Sequence, residues 1–268
     1  MNAPACQRWN GGRASYRPAG EPIDVSKYGV ELLDETEAKG FVLGHHYSGS
    51  YPSAVCRVGL YRAGDGLVGV AVFSVPAGPK VLDRWVPQVG SAGGVELGRM
   101  VLLDDVPANG ETWFLARAFK LLRMNRPQTR AVLSFSDPVQ RVSTTGEVVM
   151  PGHLGTIYQA HNGIYLGRAT PRTLHLDQRG LVISERVKCK IRREQQGSEY
   201  AHRALVEAGA PAREDGEDGP AYLRRALLAG GFRRFRHPGN HAYGWSLDRR
   251  VKLARPGLAY PKTLELAA

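Results

Sequence analysis

Histidine, tyrosine and aspartate side chains fall in three short segments where they can carry out acid–base chemistry. His46 and Tyr47 belong to the turn-rich segment HHYSGSYPS, Asp137 closes the apolar run SFSDP, and Tyr158 lies in the glycine-punctuated segment GHLGTIYQA. Histidine and carboxylate side chains accept protons and a phenol donates one, which suits general acid–base catalysis. Each residue also has an ordinary alternative role, as a solvated histidine, an Asp–Pro turn, or a tyrosine packed by its ring.

Arg99 is a charged residue within the apolar stretch ELGRM. Charged side chains are costly to bury unless they are paired or face a ligand. Arg99 is therefore a candidate ligand-facing residue. The alternative is a structural pair with Glu96 or with an aspartate. Pairing with Glu96 requires an irregular strand because the two residues are three positions apart.

A strand, a loop and a helix are predicted between Val95 and Leu122. Residues Val95 to Leu103 are apolar and β-branched, and the segment DDVPANG then breaks the chain. Beyond it, apolar residues repeat at i, i+3, i+4 and i+7, which are Leu115, Ala118, Phe119 and Leu122. Asn109 is a plausible N-cap, and Glu111 lies in the first turn. This unit is suited to holding a phosphate on the helix N-terminus, or it is an ordinary strand–helix unit without a ligand.

Other segments place these residues in a larger sheet. Val55 to Tyr61 and Leu67 to Val75 predict a hairpin, and Arg130 to Phe135 predicts a further strand. Residues 24–40 are predicted to be helical. The order of elements predicts an α/β (α+β) fold with a mixed, largely antiparallel sheet flanked by helices. We expect a flexible arm over residues 1–24, a catalytic domain over 25–190 and a basic extension over 191–268, with an acidic loop at 208–220.

The composition favours a polyanionic partner. The net charge is +11 and the isoelectric point is near 9.8, although the 43% hydrophobic and 23% charged residues are ordinary. Nucleic acid is the first candidate for that partner, and solubility alone is the alternative. Three widely spaced cysteines indicate neither a disulfide framework nor a zinc site. The absence of an apolar leader and of a long apolar run predicts a soluble cytoplasmic protein.

Arginines alternate with aromatic residues towards the C-terminus, a pattern suited to phosphate contacts and base stacking. The candidate nucleic-acid-binding residues are Arg192, Arg193, Arg224, Arg225, Arg233, Arg234 and Arg236.

Together these segments resemble the Mom DNA-modification proteins of phages. The resemblance is carried by HHYS, VGVAVFSVP, ELGRMVL, the N-x-x-T helix start, SFSDP, GHLGTIYQAHNGIYLG and a late aromatic strand before YPK. It is clear over residues 40–168 and weak beyond them. It implies a fold related to the GNAT acyltransferases and an enzyme that adds a carbamoylmethyl (acetamido) or related group to adenine N6, protecting phage DNA from host restriction.

The resemblance also implies roles for individual residues. It places His46, Tyr47, Asp137 and Tyr158 at the reaction centre. Acetyl-CoA is the implied cofactor, and its implied contacts are Arg99, Met100, Val101, Leu102, Asn109, Gly110, Glu111 and Thr112. The sequence departs from the GNAT pattern in lacking the glycine-rich loop before the helix, and Val139 to Pro151 is inserted after Asp137.

The chemistry of the implied product sets further expectations. The adenine amine is a poor nucleophile and is paired in duplex DNA, so we expect double-stranded DNA with a flipped adenine. Simple acyl transfer gives N6-acetyladenine, so the acetamido product needs a different bond and a second nitrogen. An iron(II) ion bound by His46 and Asp137 is one hypothesis, and Asp137 as base with Tyr158 as proton donor is the metal-free one. The other functions considered are a GNAT-type N-acetyltransferase acting on protein or small-molecule amines, and a non-enzymatic nucleic-acid-binding protein.

Overall fold

The structure is a computed structural model that describes residues 5–10, 13–90, 92–254 and 257–266. The strands are β1 Ala5–Asn10, β2 Arg13–Pro18, β3 Tyr28–Leu32, β4 Ala54–Arg62, β5 Gly66–Ser74, β6 Gly94–Leu102, β7 Ala131–Ser136, β8 Val139–Val142, β9 Val148–Met150, β10 Ile164–Arg168, β11 Arg172–Leu176, β12 Arg233–His237, β13 His241–Ser246 and β14 Glu265–Leu266. The helices are α1 Glu35–His45, α2 Pro79–Trp85, α3 Gly110–Asn125, α4 Thr156–Ala160, α5 Glu185–Arg192, α6 Ser198–Glu207 and α7 Gly219–Ala229.

The chain divides into two compact units, each built from separate segments. Unit 1 comprises residues 1–138, 153–169 and 240–263, and unit 2 comprises residues 139–152, 170–239 and 264–268. The domain boundaries predicted at 24/25 and 190/191 do not coincide with these divisions and stay a prediction. The inserted segment after Asp137 forms the β8–β9 hairpin of unit 2.

A seven-stranded sheet organises unit 1, in the order β10-β13-β7-β6-β5-β4-β3. Only the pair β6–β7 is parallel, and the other neighbours are antiparallel. The predicted fold class, a mixed and largely antiparallel sheet flanked by helices, is confirmed.

Helices α1 and α3 cover opposite faces of this sheet. Along β5 the side chains alternate, with Val70 and Val72 packed in the cluster of α1 and Ala71 and Phe73 in the cluster of α3. The apolar face predicted for α3 is confirmed, because Leu115, Ala118, Phe119 and Leu122 are all buried. Burying each large side chain contributes roughly 1.5–3 kcal/mol to the free energy of unfolding, so α3 is held firmly on the sheet next to the loop that precedes it.

Strands β6 and β7 pair over only three residues and then separate. Their register runs from Gly94–Ala131 to Glu96–Leu133, although β6 continues to Leu102. On its other edge β6 carries a bulge at Gly98, where a Cβ atom would lie 2.6 Å from the Ser74 hydroxyl. The gap beyond Glu96 opens the centre of the sheet, and the residues around it form the candidate site.

One local prediction is corrected by the structure. Residues 24–40 are not one helix, since β3 precedes α1 and Asp34 caps α1 by accepting from the backbone N–H groups of Thr36 and Glu37. The flexible arm over residues 1–24 stays a prediction, and within it β1 and β2 pair as an antiparallel hairpin. No helix in the part of the chain that the structure describes is both long and apolar enough to span a membrane.

Candidate active site

His46 lies directly after α1 and is held as a neutral imidazole. Its backbone N–H donates to Val42 O at 2.9 Å, and the Ser48 N–H donates to its Nδ1 at 3.1 Å. Nδ1 therefore carries the lone pair, which places the ring proton on Nε2. Burial and the positive charge of Arg99 lower the pKa of His46 to about 3, so the ring is uncharged at neutral pH.

Tyr47 is joined to His153, a residue that the sequence analysis did not select. The Tyr47 hydroxyl lies 3.1 Å from His153 Nε2, and the backbone N–H of His153 donates to the backbone carbonyl of Asp137 at 2.8 Å. Burial lowers the pKa of His153 to about 4, although the Asp137 carboxylate opposes this shift. His153 therefore contacts Tyr47 through its neutral ring and Asp137 through its backbone.

Tyr158 occupies an aromatic enclosure between His153 and β13. It is 7% exposed, and its ring centroid lies 5.4 Å from Tyr243 and 5.9 Å from Trp245. Burial raises the pKa of Tyr158, with a hydrogen bond to Ser134 acting in the opposite direction. The phenol therefore stays protonated at neutral pH and is suited to donating a hydrogen bond or proton.

The backbone before α4 brings Tyr158 to this position. Gly155 has φ +71°, and a Cβ atom there would lie 2.7 Å from the Tyr158 ring and 2.8 Å from Tyr243. Gly152 also has a positive φ, +69°. These two glycines, on either side of His153, are the sequence signal that could have identified this histidine, which the sequence analysis missed.

Arg99 faces the loop after α1. Its guanidinium donates from Nε to Ser50 O at 2.9 Å and from Nη2 to Ser50 Oγ at 2.8 Å. The bulge at Gly98 provides the irregularity needed for Glu96 and Arg99 to influence each other. Burial raises the pKa of Glu96 and lowers that of Arg99, and their mutual attraction opposes both shifts.

The structure thus connects the predicted centre through shared neighbours. His46 and Tyr47 stack at 4.3 Å, Tyr47 contacts His153, and His153 contacts both Asp137 and Tyr158. Among the described residues, no group of three or more His, Cys, Asp or Glu side chains is placed to hold a metal ion. The proposed iron ligation by His46 and Asp137 therefore receives no support.

The predicted cofactor residues divide into two groups. Met100, Val101 and Leu102 pair with β5, while β6 has no ladder to β7 at these positions. The cofactor contacts of both groups stay a prediction. At the start of α3, groups predicted to hold a pyrophosphate already make contacts within the chain.

The N-terminal hairpin fills the start of α3. The buried Arg8 donates to the Glu111 carboxylate at 2.6 Å, to Leu103 O at 2.8 Å and to Val106 O at 3.2 Å. The pair excludes solvent, because the Arg8 and Glu111 side chains are 4% and 14% exposed. Arg8 and the Glu111 carboxylate therefore form a buried pair beside the start of α3.

The loop N–H groups before α3 are also used within the chain. Glu21 accepts from the Ala108 N–H at 3.2 Å, and the Asn109 N–H donates to Glu21 O at 3.1 Å. Gly110 N–H donates to Pro107 O at 2.8 Å, and the Thr112 hydroxyl donates to Asn109 O at 3.3 Å. Asn109 occupies the N-cap position of α3, as predicted, but its side chain makes no capping hydrogen bond. Several N–H groups at this helix end are therefore already hydrogen-bonded within the chain, which disfavours a pyrophosphate.

The candidate nucleic-acid-binding arginines lie in unit 2 and differ in their pairing. Arg225 donates to Glu217 at 2.9 and 2.6 Å, which neutralises its charge locally. The remaining six are exposed and make no ion pair with a described residue: Arg192, Arg193, Arg224, Arg233, Arg234 and Arg236.

Comparisons with known proteins identify relatives of the chain. A family model described as the Mom protein family matches residues 27–262. The methylcarbamoylase mom of Escherichia phage Mu is 30% identical over 149 residues, which cover 55% of this chain and 57% of that protein. A tandem GNAT protein from the clavulanic acid biosynthesis pathway has a TM-score of 0.40 at 11% identity, covering 86% of this chain and all of that one. A protein provisionally assigned as a phosphinothricin N-acetyltransferase has a TM-score of 0.35 at 8% identity, covering 83% and 99%.

Proposed function

The chain belongs to the Mom protein family, and from that premise we propose that it is a DNA-modifying transferase acting on adenine N6. The added group is a carbamoylmethyl (acetamido) or related acyl-derived group, and the modified phage DNA is protected from host restriction. The name methylcarbamoylase, carried by the phage Mu relative, supports the chemistry. The net charge of +11 supports a nucleic-acid substrate.

The observation that carries the proposal is the enclosure of a protonated phenol beside neutral histidines. Tyr158 is buried among aromatic rings, and His153 links it to Tyr47 and to Asp137. Aromatic rings and neutral hydrogen-bonding groups are the environment that a flipped base requires. Double-stranded DNA with a flipped adenine is accordingly the proposed substrate.

Acid–base roles follow from the charge states of these groups. A histidine with a pKa of about 4 is a weak base at neutral pH, so His153 serves as an orienting neighbour. The Asp137 carboxylate is the proposed base that takes a proton from the adenine amine. Tyr158, whose pKa is raised, is the proposed hydrogen-bond or proton donor of the site.

Acetyl-CoA, the donor implied by the resemblance, stays a prediction. The edge of β6 at Met100 to Leu102, which has no ladder to β7, suits an extended acyl donor, whereas the N–H groups at the start of α3 are already hydrogen-bonded within the chain. No chemical step is therefore assigned through this cofactor.

The test is nucleoside mass spectrometry of plasmid DNA from cells that express the wild-type chain or Tyr158→Phe. We expect a modified deoxyadenosine from the wild type and at least a hundredfold less from the variant, because loss of a general acid costs roughly 10²–10⁴ in rate. The mass of the product identifies the added group.

Tyr222→Phe is the matched control, since Tyr222 is a fully buried tyrosine of unit 2 whose hydroxyl donates to Pro211 O at 3.2 Å. Equal product from Tyr158→Phe and Tyr222→Phe would remove Tyr158 from the chemistry. An acetylated amine in place of modified DNA would establish the N-acetyltransferase alternative.

A further inference from the structure

A large open groove lies in unit 1 beside the C-terminal half of α3. It has a volume of about 1320 Å³ and is lined by α3, by the turn that follows it and by the segment Ser246 to Val251. Asp248 is the acidic residue among the lining residues that the structure describes. The basic lining residues are Lys120, Arg123, Arg130, Arg249 and Arg250. The groove is therefore positively charged.

The single acid is already neutralised by two of the five cations. Asp248 accepts from Arg130 at 3.1 Å and from Arg250 at 3.0 Å, and these arginines hold the pKa of its carboxyl below the usual range. The exposed Lys120, Arg123 and Arg249 make no ion pair with any residue that the structure describes. Three cations thus face the same groove without a counter-charge, one of them from outside α3.

A buried hydroxyl provides an independent indication of a ligand. Thr129 lines the groove and is only 4% exposed, yet its Oγ1 has no hydrogen-bond partner among the described residues. Buried polar atoms are nearly always hydrogen-bonded, so a threonine hydroxyl left in this state is an unused donor. A phosphate oxygen is the acceptor that three nearby cations would accompany.

The dimensions favour a polymer over a small ligand. Pockets for small molecules are usually about 300–1,000 Å³, and this groove is larger and open to solvent. We propose that the groove binds the phosphodiester backbone of double-stranded DNA, with Lys120, Arg123 and Arg249 neutralising phosphates and Thr129 donating to a phosphate oxygen. The inference rests on the proposed function, and it adds a DNA contact in unit 1 to the arginines of unit 2.

The test measures binding of a fluorescent DNA duplex by the full chain across a series of salt concentrations. The variant Lys120→Gln/Arg123→Gln/Arg249→Gln removes the three unpaired cations. Lys39→Gln/Lys80→Gln/Arg13→Gln removes three exposed cations elsewhere and is the matched control. Each lost phosphate contact lowers the salt slope by roughly 0.9. We expect the groove variant to lose about two to three units of slope and to bind at least tenfold more weakly.

A second variant separates a ligand contact from a structural role. Thr129→Val keeps the shape of the side chain and removes its hydroxyl, so we expect a melting temperature equal to or above that of the wild type and binding weakened about threefold. A purely structural Thr129 would leave DNA affinity unchanged, which would contradict the proposal.

The failures of the two proposals are distinguishable. If the wild type does not bind DNA, the proposed function and this inference both fail. If it binds DNA with the same salt slope as the groove and control variants, only the inference fails. Inorganic pyrophosphate is added as a competitor. If it displaces the DNA duplex from the chain, the groove is a site for a small phosphate ligand and the polymer assignment is overturned.

Discussion

The two ends of α3 show how differently one helix can present its charge. At its start, Arg8 and Glu111 form a buried pair and Glu21 accepts from the Ala108 N–H. At its other end, Lys120 and Arg123 face a groove without an acidic partner among the described residues. Both ends follow the helix macrodipole, with acids at the N-terminus and cations towards the C-terminus.

The difference is that the chain supplies its own anion at one end only. A helix N-terminus attracts an anionic ligand when its N–H groups are available. At the start of α3, a carboxylate and loop carbonyls already accept hydrogen bonds from N–H groups. A strand–loop–helix pattern is therefore insufficient to predict a phosphate site. What the neighbouring chain segments contribute decides the outcome.

Removing Arg8 should have the largest effect on this comparison. Arg8→Ala leaves the Glu111 carboxylate and two carbonyls without their donor, and breaking a buried pair in this way costs about 3–5 kcal/mol. Arg123→Ala, at the exposed end, should change the free energy of unfolding by about 0.5 kcal/mol or less. Urea unfolding of both variants measures the contrast, and equal losses would show that the start of α3 is no better packed than its end.

The alkylation rate of the Cys6 thiol measures whether the β1–β2 hairpin stays packed against the start of α3. Burial, followed by the negative charge of Glu111, raises the pKa of its thiol to about 12 from the ordinary 9.0. The thiolate is the reactive form, so alkylation near neutral pH should be roughly a thousandfold slower than for an unperturbed thiol. Mass spectrometry of iodoacetamide-treated protein measures the rate. Rapid labelling of Cys6 in the wild type would indicate that the hairpin opens readily.

The pH dependence of stability tests the candidate active site independently of the two ends of α3. His153 has a pKa of about 4 when folded and 6.5 as its ordinary value, and His46 is shifted in the same direction. The unfolded chain therefore binds more protons between these values. The contribution of a buried neutral histidine to the free energy of unfolding is fully present above about pH 6.5. It is lost as the pH falls towards 4, and for His153 the loss is on the order of 2 kcal/mol. Urea midpoints across this range should fall less steeply in His153→Asn, and an identical slope would argue against a buried neutral His153.

The smallest expected effect concerns the helix cap. Asn109 makes no side-chain bond to the N–H groups of α3, so Asn109→Ala should cost about 0.5 kcal/mol or less. Asp34→Ala at the start of α1 removes two such bonds and should cost about 1 kcal/mol. Thermal unfolding of the two variants provides the comparison. A larger loss for Asn109→Ala would show that its bond to Gly20 O matters more than a cap.

Periodicity and composition were enough to predict much of the sheet. The alternation of Val55 to Tyr61, the apolar run at Leu67 to Val75 and the helical face of α3 all depend on local spacing, and the structure contains each of them. Residues 24–40 were harder, because Val30 and Leu33 fit either a helix or a strand. The choice of strand is made by pairing with β4, which is a long-range contact.

The residue types of the candidate site were predictable from the sequence, but the hydrogen bonds and ring contacts that join these residues were only partly predictable. Tyr158 and Asp137 stood out by their positions, but His153 joins them through a backbone bond between distant segments. The contacts at the start of α3 were unpredictable for the same reason. Arg8 lies 103 residues before Glu111, and local spacing gives no information about that contact.

The position of β13 also constrains how the protein is made. This strand lies between β7 and β10, and it is translated only after residues 139–152 and 170–239, the two main segments of unit 2. A nascent chain that has emerged only to Gly239 lacks the strand that joins β10 to the rest of the sheet and supplies Tyr243 and Trp245 around Tyr158. Synthesis must therefore pass Ser246 before the aromatic enclosure can assemble, and a ribosome that stalls earlier releases a chain without it.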